Sequence, residues 1–152
     1  MTNIRNPIDS YILIIADYYL YRYNKYEICW NKEAIQMGRD EVVEKLKSIC
    51  LSYSDILGMV ILFGSYSRNE ATAESDIDLY IEPKDLAMTT SKFGANKRYK
   101  EFKYSLYDTF SKDFDLLAYG GKKDLQGIRR SPIWTQINKD GIVIYDKRAE
   151  AI

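Results

Sequence analysis

The chain has 152 residues, about the length of one ordinary domain, and its hydrophobic (46%) and charged (29%) shares are those of a soluble globular protein with a buried core. Its 22 basic and 22 acidic residues cancel, so no overall charge draws it to nucleic acid or to an anionic membrane, and we expect neither as a partner. The sequence has no histidine, which excludes Ser-His-Asp and Cys-His catalysis, His-liganded zinc and His-based ribonuclease chemistry.

The first part of the chain predicts a helix rich in tyrosine. Apolar residues recur there at spacings of three and four from about Asp9 to Tyr26, which is typical of an amphipathic helix. Their rings suit either the protein's own core or an interface with a partner or a second copy of the chain, and the sequence leaves both open. The tyrosines of this segment are Tyr11, Tyr18, Tyr19, Tyr21, Tyr23 and Tyr26.

The same region gives no sign of export or of a membrane anchor. Its longest apolar stretch, Tyr11–Ala16, is far too short to span a bilayer and lacks a cleavage site. Cys29 and Cys50 are the only cysteines, and nothing marks them as a disulfide framework. We therefore expect a cytoplasmic protein with two reduced thiols.

The middle of the chain predicts a helix followed by a buried strand. Asp40 is the expected N-terminal cap of the helix, which ends near Tyr53. Leu57–Phe63 is apolar throughout and rich in branched side chains, which indicates a strand buried on both faces and ended by Gly64. Residues 65–75 are polar and predict a turn with a short helical piece.

The remaining elements predict an α+β fold. Apolar and polar residues alternate from Ile77 to Pro83, which is typical of a half-buried strand. Together the elements predict a small mixed sheet flanked by helices. We expect one domain over residues 1–152, with N-terminal helices in residues 1–53 and a motif-bearing core in residues 54–146. The later predicted elements are a helix over Lys97–Phe110, a strand over Phe114–Ala118, a helix around Ile133–Ile137 and a strand over Ile142–Tyr145.

The turn after the first predicted strand is suited to binding phosphate. Gly64 allows a tight turn in which backbone N–H groups point into one concavity, and a short helix starting there would add its positive end. Ser65 can add its hydroxyl. Gly64 and Ser65 are therefore candidate phosphate-binding residues.

Three acidic residues predict a metal site. Asp76 and Asp78 lie two residues apart on a strand and share a face, where their oxygens suit Mg²⁺ completed by water and substrate phosphates. Asp115 opens a later strand-like run, and Asp113, two residues earlier, is the alternative third acid. Converging carboxylates suit phosphoryl or nucleotidyl transfer, in which metal ions hold a triphosphate and lower the pKa of an attacking hydroxyl.

The spacing of these residues resembles that of the minimal nucleotidyltransferase (MNT) family. Its mark is Gly-Ser, ten residues and then Asp-x-Asp, found here as Gly64-Ser65 followed by Asp76-Ile77-Asp78. The resemblance covers about Leu57 to Asp146 and implies a polymerase-beta-like fold. It implies that Gly64 and Ser65 bind the triphosphate, that Asp76 and Asp78 bind the metal ions, and that Asp115 is the third catalytic carboxylate.

Nearby residues both match and depart from the family's longer pattern. Arg68, four residues after the glycine, and Ser75, before the carboxylate pair, match it. Ser67 and Asn69 replace the family's small residue and glycine on either side of the arginine. Arg68 is a candidate nucleotide-binding residue, with a surface ion pair to a nearby glutamate as the alternative.

The resemblance implies transfer of a nucleoside monophosphate, AMP from ATP with Mg²⁺, to a hydroxyl. Minimal members often act as antitoxins that adenylylate a tyrosine of a partner toxin of the HEPN ribonuclease class, so we expect such a partner as the acceptor. Two alternatives stay open. One is a homodimeric enzyme that modifies a small molecule such as an aminoglycoside, and the other is a non-catalytic module that neutralises its partner by contact alone.

Overall fold

The computed structural model describes residues 37–148 of the chain. The predicted helix Asp9–Tyr26, with its tyrosines, and Cys29 lie outside the described residues. No helix within residues 37–148 is long and apolar enough to cross a membrane. The elements of this part are α1 (Arg39–Ser52), β1 (Leu57–Phe63), β2 (Ile77–Pro83), α2 (Thr90–Ala95), α3 (Lys97–Phe110), β3 (Phe114–Ala118), α4 (Lys122–Arg129), α5 (Pro132–Asp140) and β4 (Ile142–Asp146).

The four strands form one mixed sheet in the order β3-β2-β1-β4. β1 runs antiparallel to both of its neighbours, and β2 runs parallel to β3. The chain passes from β2 to β3 through α2 and α3, because parallel neighbours need a long crossover connection. The starts of β2 and β3 consequently lie side by side, with Ile77 opposite Phe114 and Asp78 opposite Asp115.

One face of the sheet forms the main apolar core. β2 contributes Ile77, Leu79 and Ile81 to this core, since alternate residues of a strand share a face. The hydrophobic effect of this burial holds α1 and α3 against the sheet. The buried residues of these helices recur at spacings of three and four: Val42, Leu46 and Cys50 on α1, and Tyr99, Phe102, Leu106 and Phe110 on α3.

The opposite face of the sheet lies under α4 and α5. Its smaller apolar cluster draws residues from both central strands and both helices, so this face too is shielded from water along most of β2. The aromatic ring of Trp134 packs edge-on against that of Tyr80, with 5.0 Å between centroids. The buried members of the cluster are Met59, Ile61, Tyr80, Ile128 and Ile137.

A charged residue is buried in this second layer. Glu82 is only 2% exposed, and its Oε1 accepts hydrogen bonds from the Tyr80 hydroxyl (2.7 Å) and from Arg129 Nη2 (2.9 Å). A buried carboxylate is tolerated when it is paired and hydrogen-bonded in this way. The prediction of a half-buried strand over Ile77–Pro83 is therefore wrong, because α4 and α5 cover the face that carries Tyr80 and Glu82.

The predicted α+β class, a small mixed sheet flanked by helices, is confirmed. β1, α3 and β3 have the predicted bounds, and α5 and β4 extend beyond theirs. The short helices α2 and α4 were not predicted. Asp40 is not the N-cap of α1, since Gly38 holds that position and Asp40 lies in the first turn.

Cys50 is a free thiol in the core. It lies on α1 and is fully buried. Burial raises the pKa of this thiol to about 12, because a thiolate there would lose its hydration. Cys50 consequently stays protonated and behaves as a small apolar residue.

Candidate active site

Gly64 follows β1 directly and lies against the carboxylate of Asp78. Antiparallel pairing sets Phe63 opposite Asp78, so the next residue along the chain comes beside that side chain. Gly64 has a φ of +75°, and a Cβ atom at this position would collide with Asp78 Oδ2. Only glycine satisfies both conditions without strain. The Gly-Ser and Asp-x-Asp parts of the motif are thus in direct contact.

The turn after Gly64 is closed by hydrogen bonds to the carbonyl oxygen of that residue. This oxygen accepts from the backbone N–H of Arg68 (3.2 Å) and from the Ser67 hydroxyl (2.8 Å), and Ser67 is 6% exposed. Asn69 has a φ of +59°, in the left-handed region that asparagine tolerates better than most residues. Ser67 and Asn69, the two departures from the family pattern, therefore still support a tight turn.

Residues 65–69 form consecutive turns, and the short helix predicted within residues 65–75 is not formed there. The backbone N–H of Glu70 reaches back to the Ser65 carbonyl (2.9 Å), and Asn69 in its left-handed conformation stops helical progress. A helix N-terminus is therefore not available here, and the predicted phosphate binding would rest on the turn itself.

The three candidate carboxylates come from one edge of the sheet. Asp78 of β2 and Asp115 of β3 are register partners in the parallel pair, so their side chains lie side by side on one face. Asp76 immediately precedes β2, two residues before Asp78 on the same face. The Gly64 turn borders the same edge through its contact with Asp78. One region of the surface therefore holds a tight turn and three oxygen donors.

Of the two acids considered for the third carboxylate, Asp115 is the one opposite Asp78. Asp113 precedes β3, and its carbonyl oxygen accepts a hydrogen bond from the Ile77 N–H (3.0 Å), which opens the pairing of the two strands. The register then sets Asp115, two residues later, beside Asp78. This placement favours Asp115, whose catalytic role stays a prediction.

Asp78 has a strongly perturbed pKa. Burial is the largest cause, and the negative charges of Asp115 and Asp76 add to it, so the pKa rises to about 6, while Arg68 acts in the opposite direction. Burial penalises the ionised form by removing water, and the two neighbouring carboxylates penalise it by repulsion. A cation among these carboxylates would relieve the repulsion.

The donor set suits a divalent cation, although the side chains do not enclose a ready-made site. Within residues 37–148 no three acidic or cysteine side chains are grouped closely enough to hold an ion as they stand. Mg²⁺ commonly takes one or two carboxylates and fills its remaining positions with water and phosphate oxygens. Asp76, Asp78 and Asp115 therefore fit Mg²⁺ that is shared with a bound triphosphate.

Arg68 is an exposed residue of the turn. Its Nε is 3.0 Å from Glu70 Oε2, and both side chains are exposed. An exposed pair of this kind contributes at most about 1 kcal/mol, so the guanidinium can exchange it for a phosphate. Its effect on the pKa of Asp78 places it within electrostatic reach of the carboxylates. Both roles considered for Arg68 are compatible with this position.

Two residues that shape the site were not predicted from the sequence. Ser67 closes the turn through its hydroxyl, and a hydroxyl three residues after a glycine is a local signal for such a bond. Lys112 donates hydrogen bonds to the carbonyl oxygens of Ala73 (2.8 Å) and Ser75 (3.1 Å). No local pattern could reveal the second contact, because its partners lie 39 and 37 residues away.

The sequence matches a known family over the region that holds this site. The family described as "Polymerase beta, Nucleotidyltransferase" matches residues 44–150. That range covers well over half of the chain and contains the Gly64 turn and the three carboxylates. The chain therefore belongs to the polymerase beta nucleotidyltransferase family, and its fold is the nucleotidyltransferase fold that the motif predicted.

Solved structures with a similar fold include toxin-antitoxin complexes. One is a crystal structure of a toxin-antitoxin with AMP-PNP, which is 20% identical over 71% of this chain and 76% of that chain, with a TM-score of 0.46. Another holds a tri-AMPylated Shewanella oneidensis HEPN toxin in complex with an MNT antitoxin, 18% identical over 74% and 76% of the two chains, with a TM-score of 0.43. These likenesses concern the fold alone. Among curated proteins, no sequence matches the chain.

Proposed function

We propose that the protein is a Mg²⁺-dependent nucleotidyltransferase that transfers AMP from ATP to a hydroxyl group. The observation that carries this proposal is the contact of Gly64 with the Asp78 carboxylate, with Asp115 in register on the next strand. It sets a turn suited to phosphate beside oxygen donors suited to the metal ion that accompanies a triphosphate. Membership of the family supports the reaction class.

The proposed reaction is an in-line displacement on ATP. The acceptor oxygen forms a bond to the α-phosphorus, the bond from that phosphorus to the bridging oxygen of the β-phosphate breaks, and pyrophosphate leaves. Gly64 and Ser65 bind the triphosphate, and Arg68 adds a positive charge. Asp76, Asp78 and Asp115 would hold Mg²⁺, and Asp115 would take up the hydroxyl proton. Bound Mg²⁺ would neutralise phosphate charge and lower the pKa of the attacking hydroxyl.

We infer that the acceptor is a tyrosine of a partner protein of the HEPN toxin class, so that the protein acts as an antitoxin. The support for this inference is the motif, which resembles that of minimal members with this role. A tyrosine hydroxyl has an ordinary pKa of about 10, so it needs the help of a nearby cation or base to attack. In the proposed site, Mg²⁺ would be the cation and Asp115 would be the base.

Intact mass measurement tests the proposal directly. The full chain is incubated with ATP and Mg²⁺, with and without the product of the neighbouring gene, and every protein present is weighed. We expect the mass of AMP on the neighbour, and none when Asp76 is replaced by alanine. Asp108→Asn, at an exposed position of α3 outside the site, is the matched control and should behave as the wild type.

Two other outcomes would each point elsewhere. Release of pyrophosphate that depends on an added aminoglycoside, with no mass gained by any protein, would indicate the homodimeric small-molecule enzyme. Neutralisation of a toxic partner by the double variant Asp76→Ala, Asp78→Ala, as effective as that by the wild type, would indicate a module that acts by contact alone.

A further inference from the structure

Lys112 holds the loop that leads into the carboxylate pair. This lysine lies between α3 and β3, and its ammonium group donates hydrogen bonds to the carbonyl oxygens of Ala73 (2.8 Å) and Ser75 (3.1 Å). Ser75 is the residue before Asp76. Hydrogen bonds from a charged donor are stronger than those between neutral groups, so these two bonds restrain the main chain immediately before Asp76.

The same ammonium group also faces the turn after Gly64, which is called the phosphate turn below because of its proposed role. It lies 5.6 Å from the centroid of the Tyr66 ring, within the range of a cation–π contact. Tyr66 follows Ser65 and is 1% exposed, so its ring anchors the turn in the main core. Lys112 therefore contacts the turn and the loop before Asp76 at once.

The backbone that follows Lys112 leads into a third segment of the site, the start of β3. The next residue, Asp113, accepts the hydrogen bond from the Ile77 N–H that starts the pairing of β2 with β3. Asp115 follows two residues later in register with Asp78. Three separate pieces of chain that carry the candidate site residues meet at this one lysine.

We propose that Lys112 is a positioning residue: its ammonium group ties the Tyr66 ring and the carbonyls of Ala73 and Ser75 to the start of β3, and so holds the phosphate turn and the three carboxylates at working distances. The inference rests on the proposed function for its catalytic consequence. The contacts themselves do not depend on that function.

The effect of removing Lys112 on metal binding depends on its role, and a positioning role and a purely electrostatic role predict opposite changes. A lysine that acted only through its charge would repel a divalent cation from the nearby carboxylates, so its removal would tighten metal binding. A lysine that holds the carboxylates in place strengthens metal binding, so its removal weakens it. The sign of the change therefore distinguishes the two roles.

The test uses the full chain and the variants Lys112→Met, Lys112→Arg and Lys123→Met. The last is the matched control, an exposed lysine on α4. Mn²⁺ alone is the probe, its binding followed by electron paramagnetic resonance, and amide hydrogen exchange is measured over residues 71–78. We expect Lys112→Met to weaken Mn²⁺ binding about tenfold, a typical effect for residues that support metal ligands. Exchange in residues 71–76 should become faster without a matching loss of global stability.

The remaining results decide the proposal either way. Lys112→Arg should recover most of the Mn²⁺ affinity, and Lys123→Met should match the wild type. Equal or tighter Mn²⁺ binding by Lys112→Met overturns the proposal that Lys112 is a positioning residue. If the wild type binds no Mn²⁺, the proposed function fails, and the positioning role of Lys112 is then tested by amide hydrogen exchange alone. Faster exchange in Lys112→Met supports that role, and unchanged exchange overturns it. Should Lys112→Met not fold, Lys112→Gln carries the same expectations.

Discussion

Neighbouring residues on β2 show how differently the two faces of the sheet are used. Leu79 is fully buried in the main core under α1 and α3, whereas Asp78 points to the other face, against Gly64 and beside Asp115. Leu79 stabilises the fold by leaving water. Asp78 opposes folding when ionised, because burial and the neighbouring carboxylates raise its pKa to about 6. One strand thus joins a stabilising face to a face that keeps unfavourable charge.

Along the second face, the two acidic side chains of β2 are also treated differently. Glu82 has two direct hydrogen-bonding partners, the buried Tyr80 hydroxyl and Arg129. Asp78 is influenced by Arg68 electrostatically, but that arginine is paired with Glu70. A carboxylate that served only the fold would gain from a direct partner such as that of Glu82. The contrast agrees with the proposal that Asp78 would bind a cation.

The largest expected effect is the loss of transfer in Asp78→Asn. The amide keeps the shape of the side chain but loses the charge that would hold Mg²⁺, so the rate of AMP transfer should fall by about a hundredfold to a thousandfold, as when one preorganised electrostatic group is removed elsewhere. The measurement is the initial rate of AMP addition to the partner protein, with Asp108→Asn as the control. A rate within error of the wild type would remove Asp78 from the mechanism.

The opposite face should respond in stability. Leu79→Ala removes most of a fully buried side chain from the main core and should lower the free energy of unfolding by about 2–5 kcal/mol. Urea denaturation of the metal-free protein measures this loss. Val143→Ala on β4 is the control, since Val143 is 53% exposed and its truncation should change stability by no more than about 0.5 kcal/mol. Equal losses in the two variants would contradict the assignment of the main core.

The main core was the part most open to prediction from the sequence. The unbroken apolar run of β1 and the four-residue spacing in α3 reveal those elements locally, which is why their bounds agree with the structure. α2 and α4 escaped prediction because they are short, with 6 and 8 residues, and each buries only one or two side chains. The burial of Tyr80 and Glu82 also escaped, since it depends on helices that follow about 40 residues later and that no local pattern ties to β2.

The candidate site was predictable in its residues and less so in its geometry. The fixed spacing of Gly64-Ser65 and Asp76-Ile77-Asp78 follows from one turn and two strands, so a local motif captures it. Asp115 could be named only as one of two acids, because the choice depends on the register of β2 and β3. The short helix expected after Ser65 is absent within residues 65–75, since Asn69 in a left-handed conformation replaces it with a turn.

A pH titration sharpens the comparison of the two faces. The folded pKa of Asp78, about 6, lies above its ordinary value of 3.8, so the folded metal-free protein binds this proton more tightly than the unfolded chain does. Stability owed to Asp78 is therefore full below about pH 4 and is lost as the pH rises toward 6 and beyond. At low pH Asp78 is protonated and carries no charge. The site should then contribute equally to the melting temperatures of the wild type and of Asp78→Asn, as measured by thermal unfolding.

Above pH 6 the Asp78→Asn variant should gain in melting temperature relative to the wild type, because only the wild type must ionise a repelled carboxylate. Leu79→Ala should show no such change in its difference from the wild type over the same range. Addition of Mg²⁺ at neutral pH should raise the melting temperature of the wild type more than that of Asp78→Asn. A constant difference between wild type and Asp78→Asn from pH 4 to 7 would contradict the raised pKa of Asp78.

The smallest expected effect concerns Ser67, a polar residue buried at the turn on the charged side of the sheet. Ser67→Ala removes the hydroxyl that bonds to the Gly64 carbonyl, and this should lower the free energy of unfolding by about 0.5–1.5 kcal/mol. The loss is limited because the carbonyl keeps its bond from the Arg68 N–H. Ser48→Ala, at an exposed position of α1, is the control in urea denaturation. If both variants match the wild type, the backbone alone closes the turn, and serine at this position is equivalent to any other small residue.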